Sequence, residues 1–248
     1  MIPIKRKIMN TVISQPRYIP ALNYIARLCY TDLFVVFDTV QRQPREPHNR
    51  NRLLCAGEPK WVTIPINASS RAIIDEMKIA GAEWIQQHKD TIRNYYLHAP
   101  FFDTTLMDIY YQGVEDSLIS SDYDFTDAIL QTYRNMGVLF DFEPKFVRAS
   151  AINDEEIDQH FGPEKLMAIC KKIGADLYIS GPVGREYGVF EAFVGSGVDV
   201  LIHEYAHPVY AQINAAEFVP YMGFFDALFN IGRDKLTSLI HEPLNLVK

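Results

Sequence analysis

Apolar positions along the chain form short runs whose spacing switches between the strand and helix periods. Thr11-Val12-Ile13 reads as a short strand that runs into a polar, proline-rich turn, Gln15-Pro16-Arg17-Tyr18-Ile19-Pro20. In Ala21–Tyr30 the residues Leu22, Ile25, Ala26 and Cys29 recur at helical spacing, so one helix face is expected to pack on a sheet. Leu33–Phe37 is apolar at every position, as in a central parallel strand covered on both faces, and it ends on Asp38. Strand, helix and strand with short links predict a right-handed βαβ unit. From Thr39 the pattern lapses, and the basic run to Arg52 reads as structureless.

Periodicity returns at Trp61–Ile66, a period-two strand that Pro65 brings to an edge or an exit, with Glu76–Ala80 as a candidate partner. Helices are expected over Glu83–Tyr96, from about Leu106 to Ser120, and over Phe125–Met136, where Gly137 supplies a stop. A strand follows at Phe146–Ser150, then an acidic run, Asn153–Asp158, read as solvated linker or helix N-terminus. Pro163 opens a helix with Leu166, Ile169, Cys170 and Ile173 on its buried side, and Gly174 closes it. Strand Asp176–Ser180, helix Glu186–Val194 and strand Val198–Ile202 repeat the alternation, and Phe218–Ile231 is a last apolar helix. This order predicts one α/β domain over residues 1–248, with an open, mostly parallel sheet; a looser resemblance, taken up below, implies the Rossmann-like or nucleotidylyltransferase-like type. Helices should cover both faces, with a helical insertion at roughly 83–140. Ligands of such sheets bind beyond the C-terminal ends of the strands.

A hydrophobic content of 48% argues against disorder, and a net charge of −7 argues against nucleic acid as a bulk electrostatic partner. The three cysteines, Cys29, Cys55 and Cys170, are odd in number and far apart, as free thiols of a reducing compartment are. No window reaches the roughly 20 apolar residues of a membrane span, so the expected setting is cytoplasmic, away from a membrane. No metal site is expected. His203-Glu204-Tyr205-Ala206-His207 spells HExxH, but it follows a β-branched strand and Pro208 follows it directly, which disfavours the helix that a zinc protease needs; His203 and Glu204 at a strand mouth are still placed to line a pocket.

Asp38 at the end of a buried strand is placed to accept hydrogen bonds from an amine or ribose, or to act as a base. Arg42, Arg45, Arg50 and Arg52 crowd around Pro44, Pro47, His48 and Asn49, either as an anion clamp or as a solvated loop; the nearness to Asp38 favours the clamp. Gly181-Pro182-Val183-Gly184-Arg185 stands between a strand and a helix, as a backbone phosphate site or simply as a tight turn. His88 sits one helical turn after Trp84 and is a structural histidine or a base.

The run SQPRYIPALNYIARLCYTDLFVVFDTVQ, then NRNRLL with Gly57 and WVTIPI, resembles the opening of the WbqC-like family. The likeness continues through Trp84–His88, Tyr95-Tyr96, Ala99–Phe102, Ile179–Gly181 to Tyr187, Tyr210–Gln212 and Phe225–Gly232. It implies a bacterial enzyme of surface-polysaccharide (O-antigen, lipopolysaccharide) biosynthesis, a transferase moving an acyl or aminoacyl group, such as glycyl, onto the amine of a nucleotide-linked amino sugar. No resident cofactor is implied; the donor would be an acyl thioester or aminoacyl-tRNA. On this reading Asp38 or His88 is the base. Asn49, Arg50 and Arg52 hold phosphate or donor, Gln15 and Tyr18 orient the sugar, and Gly181 and Tyr187 complete the substrate site. A looser likeness to nucleotidylyltransferase-like folds lacks their His-x-Gly-His signature, because the turn Gln15–Pro20 has no histidine. Nucleotidyl transfer, an ATP-using ligase and a non-catalytic sugar-nucleotide-binding module stay open as alternatives.

Overall fold

Successive side chains of each central strand alternate between two apolar cores, which puts one sheet in the middle of the protein. The computed structural model describes residues 8–43, 46–152, 154–213 and 215–248. β1 (Asn10–Ser14) leads through α1 (Leu22–Tyr30) to β2 (Leu33–Val36), and the two strands pair in parallel with Thr11 opposite Leu33 and Ser14 opposite Val36. Val12, Phe34 and Val36 face the α1 side with Leu22, Ile25 and Leu28, whereas Ile13 and Val35 face the other core.

The chain then leaves the sheet. β3 (Arg50–Cys55) and β4 (Glu58–Thr63) form an antiparallel hairpin, and β5 (Ile66–Asn67) pairs with β6 (Lys78–Ile79). Four helices follow: α2 (Trp84–Tyr96), α3 (Thr104–Tyr111), α4 (Val114–Ser120) and α5 (Phe125–Phe140). β7 (Phe146–Arg148) returns to the sheet beside β2. After α6 (Glu155–Asp158) and α7 (Gly162–Ile173) come β8 (Leu177–Ser180), α8 (Val189–Ala192) and β9 (Asp199–His203). α9 (Phe225–Ile231), α10 (Arg233–Ile240) and β10 (Leu246–Val247) end the chain.

The strand order is β10-β9-β8-β1-β2-β7, parallel except for β10. From β1 the chain steps to β2 and β7 on one side, and from β8 to β9 on the other. The gap between β1 and β8 is therefore the topological switch point, where an open α/β sheet leaves a crevice. The open, mostly parallel sheet expected from the sequence is the fold observed.

Several local expectations change. The run before Arg52 is not structureless throughout: Arg50–Cys55 is a strand, because Ala56 and Gly57 (φ 48° and 82°) close a two-residue hairpin turn. The helix expected over 106–120 is two helices, broken at Gly113 with φ 68°. Gly137 does not stop its helix. It lies inside α5, which ends at Asp141 in the left-handed region (φ 57°). The helix expected from Glu186 starts only after Gly188 (φ 70°), and the last apolar helix starts at Phe225. Pro44, Arg45 and Asn153 lie outside the described residues.

Candidate functional site

A cavity of about 650 Å³ opens at the switch point, within the usual range for small-molecule sites. Ser14 and Gln15 from the end of β1 and Ser180 and Gly181 from the end of β8 form its floor. Arg17, Arg27 and Arg52 line it, and among the described residues no Asp or Glu belongs to the lining. In a protein of net charge −7 this concentrates positive potential in one crevice. Trp61, Tyr187 and Tyr221, exposed by 48%, 70% and 45%, stand around it with free aromatic surface.

The turn between β1 and α1 is fixed from beneath by tyrosines. Tyr133 Oη accepts from Arg17 N–H at 2.8 Å and donates to Tyr24 Oη at 2.7 Å, and Tyr24 donates to the Gln15 carbonyl at 3.0 Å. Ile19, fully buried and β-branched, is held at φ 42°, a conformation such a residue adopts only under constraint. Its carbonyl accepts from Asn51 Nδ2 at 2.7 Å. Ala21 then opens α1 with no side-chain cap, which leaves the first helical N–H groups to solvent or an anionic ligand at the cavity wall.

Arg27 is the centre of charge. Its Nε is buried without a hydrogen-bond partner, and among the described residues no carboxylate pairs with it. Burial pulls its pKa down, yet a guanidinium stays protonated in a protein. Gly181 makes room for it: a Cβ there would lie 2.9 Å from Arg27 Nη1. Arg17, by contrast, is paired with Glu46 at 3.2 Å at the surface. Arg52 and Arg50 stack on Trp61, with guanidinium carbons 5.7 and 4.4 Å from the ring centroid.

A family model for the WbqC-like proteins matches residues 15–238. The chain belongs to the WbqC-like protein family. The uncharacterized protein Rv1507c of Mycobacterium tuberculosis is 26% identical over 230 residues, covering 91% of this chain and 95% of that protein. No solved structure matches the chain.

In this WbqC-like protein Gln15, Arg52, Gly181 and Tyr187 reach the cavity. Arg50 stands next to it on Trp61. The other candidates are held elsewhere. Asp38 is fully buried; its Oδ2 accepts from Arg148 Nε at 2.6 Å and Ser150 Oγ at 2.8 Å, and its Oδ1 accepts from Ser150 N–H at 2.9 Å. Its acceptor positions face these protein donors, and it does not line the cavity. His88 Nε2 donates to the Thr63 carbonyl at 3.1 Å and Nδ1 accepts from Tyr18 Oη at 2.8 Å. Burial drives the His88 pKa down to about 4, so the ring is neutral. Tyr18 thereby becomes a buried strut, bonded also to Tyr111 Oη at 2.5 Å. Asn49 Nδ2 donates to the Ile64 carbonyl at 2.7 Å and holds the hairpin. Gly181 does not open an α-helix N-terminus: the next four residues form one 3-10 turn, and Pro182 has no N–H to offer. Glu204 of the HExxH pairs with Arg185 at 2.9 Å, and His207 bonds the Pro208 carbonyl outside any helix.

Sequence reasoning passed over Arg27. The readable signal was that it is the one charged residue in Leu22–Tyr30, a helix laid on a sheet. Trp61 reads as a strand residue, and its exposure follows from the β3–β4 hairpin, which pairs outside the central sheet.

Proposed function

We propose that this WbqC-like protein is a transferase that binds a nucleotide-linked amino sugar in the switch-point cleft and acylates its amine. The observation that carries the reading is the cleft itself: three arginines, an uncapped helix start and, among the described residues, no lining carboxylate, rimmed by exposed aromatic rings. Diphosphate oxygens suit guanidinium forks and helix N–H groups. A base or sugar ring suits Trp61 or Tyr221. In the reaction the sugar's neutral amine forms the new N–C bond with the acyl carbonyl, the bond from that carbonyl to its carrier breaks, and the carrier leaves with the proton that the amine gives up. The cytoplasmic setting and the role in surface-polysaccharide assembly belong to this proposal, and the family membership supports them.

A second reading, a non-catalytic sugar-nucleotide-binding module, is favoured by one specific feature: among the described residues no Asp, Glu or His lines the cleft, so proton transfer would have to use water. One experiment separates the two. The protein is titrated calorimetrically with uridine diphosphate, then incubated with amino-sugar nucleotides and acyl thioesters, and the products are read by mass spectrometry. Binding with N-acylated product supports the transferase. Binding without product supports the module. No binding, in a folded protein, overturns both.

A further inference from the structure

The cleft has two unlike walls. On the α1 side stand Arg17, Arg27, Arg52 and Asn23. On the other side of the sheet the wall is mostly apolar: Ile13 and Phe37 from the strand ends, Pro163 and Leu166 from α7, and Val183 and Val189 after β8, with the Tyr178 phenol among them. The division follows from strand alternation, since Val12 and Ile179 belong to the α1-side core whereas Ile13 and Tyr178 belong to the other. The two walls meet at Ser14 and Ser180, at the strand ends.

From this we infer that the apolar wall receives the transferred group, and that this group is an uncharged acyl chain and not an aminoacyl group. The inference rests on the reading of the cleft as a sugar-nucleotide site and narrows it. An aminoacyl group carries an ammonium, which on leaving water needs a carboxylate or several acceptors. Among the described residues the lining supplies no carboxylate, and its charged members are arginines, which repel it. An aliphatic chain gains on this wall with each methylene it buries. The amide end of the group would then lie at the strand ends, next to the arginine wall that holds the phosphates.

Product-like ligands test this without turnover. The protein is titrated calorimetrically with uridine diphosphate and with uridine-diphosphate glucosamine bearing an N-acetyl, N-butanoyl or N-glycyl group. The expected result is that N-butanoyl binds roughly tenfold tighter than N-acetyl, from two further buried methylenes, and that N-glycyl binds weakest. In Leu166→Trp, which fills the apolar wall, the ratio of butanoyl to acetyl affinity should fall to about one. A ratio within one variant is insensitive to a general loss of affinity. If Leu166→Trp does not fold, Val183→Trp on the exposed rim gives the same reading. Equal affinities for acetyl and butanoyl, or tightest binding of N-glycyl, would overturn the inference while uridine diphosphate binding leaves the nucleotide reading standing. Absence of uridine diphosphate binding would remove that reading and the inference with it.

Discussion

Arg27 and Gly181 are matched to each other: the guanidinium occupies the space in which a side chain at 181 would begin, with Nη1 2.9 Å from a Cβ placed there. Gly181 has φ −77° and ψ 170°, which any residue adopts, so its glycine is required by this neighbour and not by the backbone. Gly181→Ala should therefore fold normally and displace Arg27. A charge-assisted hydrogen bond to an ionised ligand is worth about 1.5–3 kcal/mol, so uridine diphosphate affinity should fall tenfold or more. Calorimetric titration of the variant checks it. An unchanged affinity would show that Arg27 does not hold the anion.

Asp38 gives the opposite expectation. It is fully buried and shares Arg148 with Asp124 (2.9 Å) and Asp127 (3.0 Å), so it ties β2 to the start of α5 and to β7. Asp38→Ala strips Arg148 Nε and the Ser150 N–H of their acceptor while Asp124 and Asp127 still pair the guanidinium, and should cost about 1–3 kcal/mol of stability. Urea denaturation reads this directly. A base would behave differently, with lost turnover at unchanged stability.

What was legible in the sequence follows from what each pattern depends on. The central sheet could be read because Leu33–Phe37 and Asp176–Ser180 carry their pattern locally. The β3–β4 hairpin was not legible, since Arg50, Asn51 and Arg52 look like loop residues until Trp61 is known to lie across from Arg52. Asp38 sits at a strand end as expected, but its partner Arg148 is 110 residues away, and only the fold could show that the carboxylate is already engaged. His88 has the same history. Its two partners come from the β1–α1 turn and the end of β4, and together they make the ring a core bridge.

The acid limb of stability should carry the mark of that bridge. Burial lowers the pKa of His88 to about 4 from an ordinary value of 6.5, and burial does the same at His48 and His203. Between these two pH values the unfolded chain binds protons that the folded chain refuses. The stabilisation is complete above pH 6.5 and is lost as pH falls towards 4, by roughly 1.4 kcal/mol per pH unit for each such histidine. Urea midpoints between pH 7 and 4.5 should fall accordingly, and less steeply in His88→Gln. Equal slopes in the two proteins would mean that His88 titrates normally.

Gly137 sets helix propensity against packing. In an exposed helix Gly→Ala gains about 1 kcal/mol. Within α5 a Cβ at 137 would stand 2.5 Å from the Phe142 carbonyl oxygen and 2.7 Å from Pro144 Cδ, where the chain turns back after the helix. Backbone cannot swing aside as a side-chain tip can, and overpacking of this kind costs typically about 1–3 kcal/mol. The clash should win, so Gly137→Ala is expected to lower stability by up to about 2 kcal/mol net. Because residues 142–144 lead into β7, the loss should be accompanied by faster amide exchange in Phe146–Arg148. A stabilised variant would mean that the turn after α5 yields at little cost, and that Gly137 is not held by this contact.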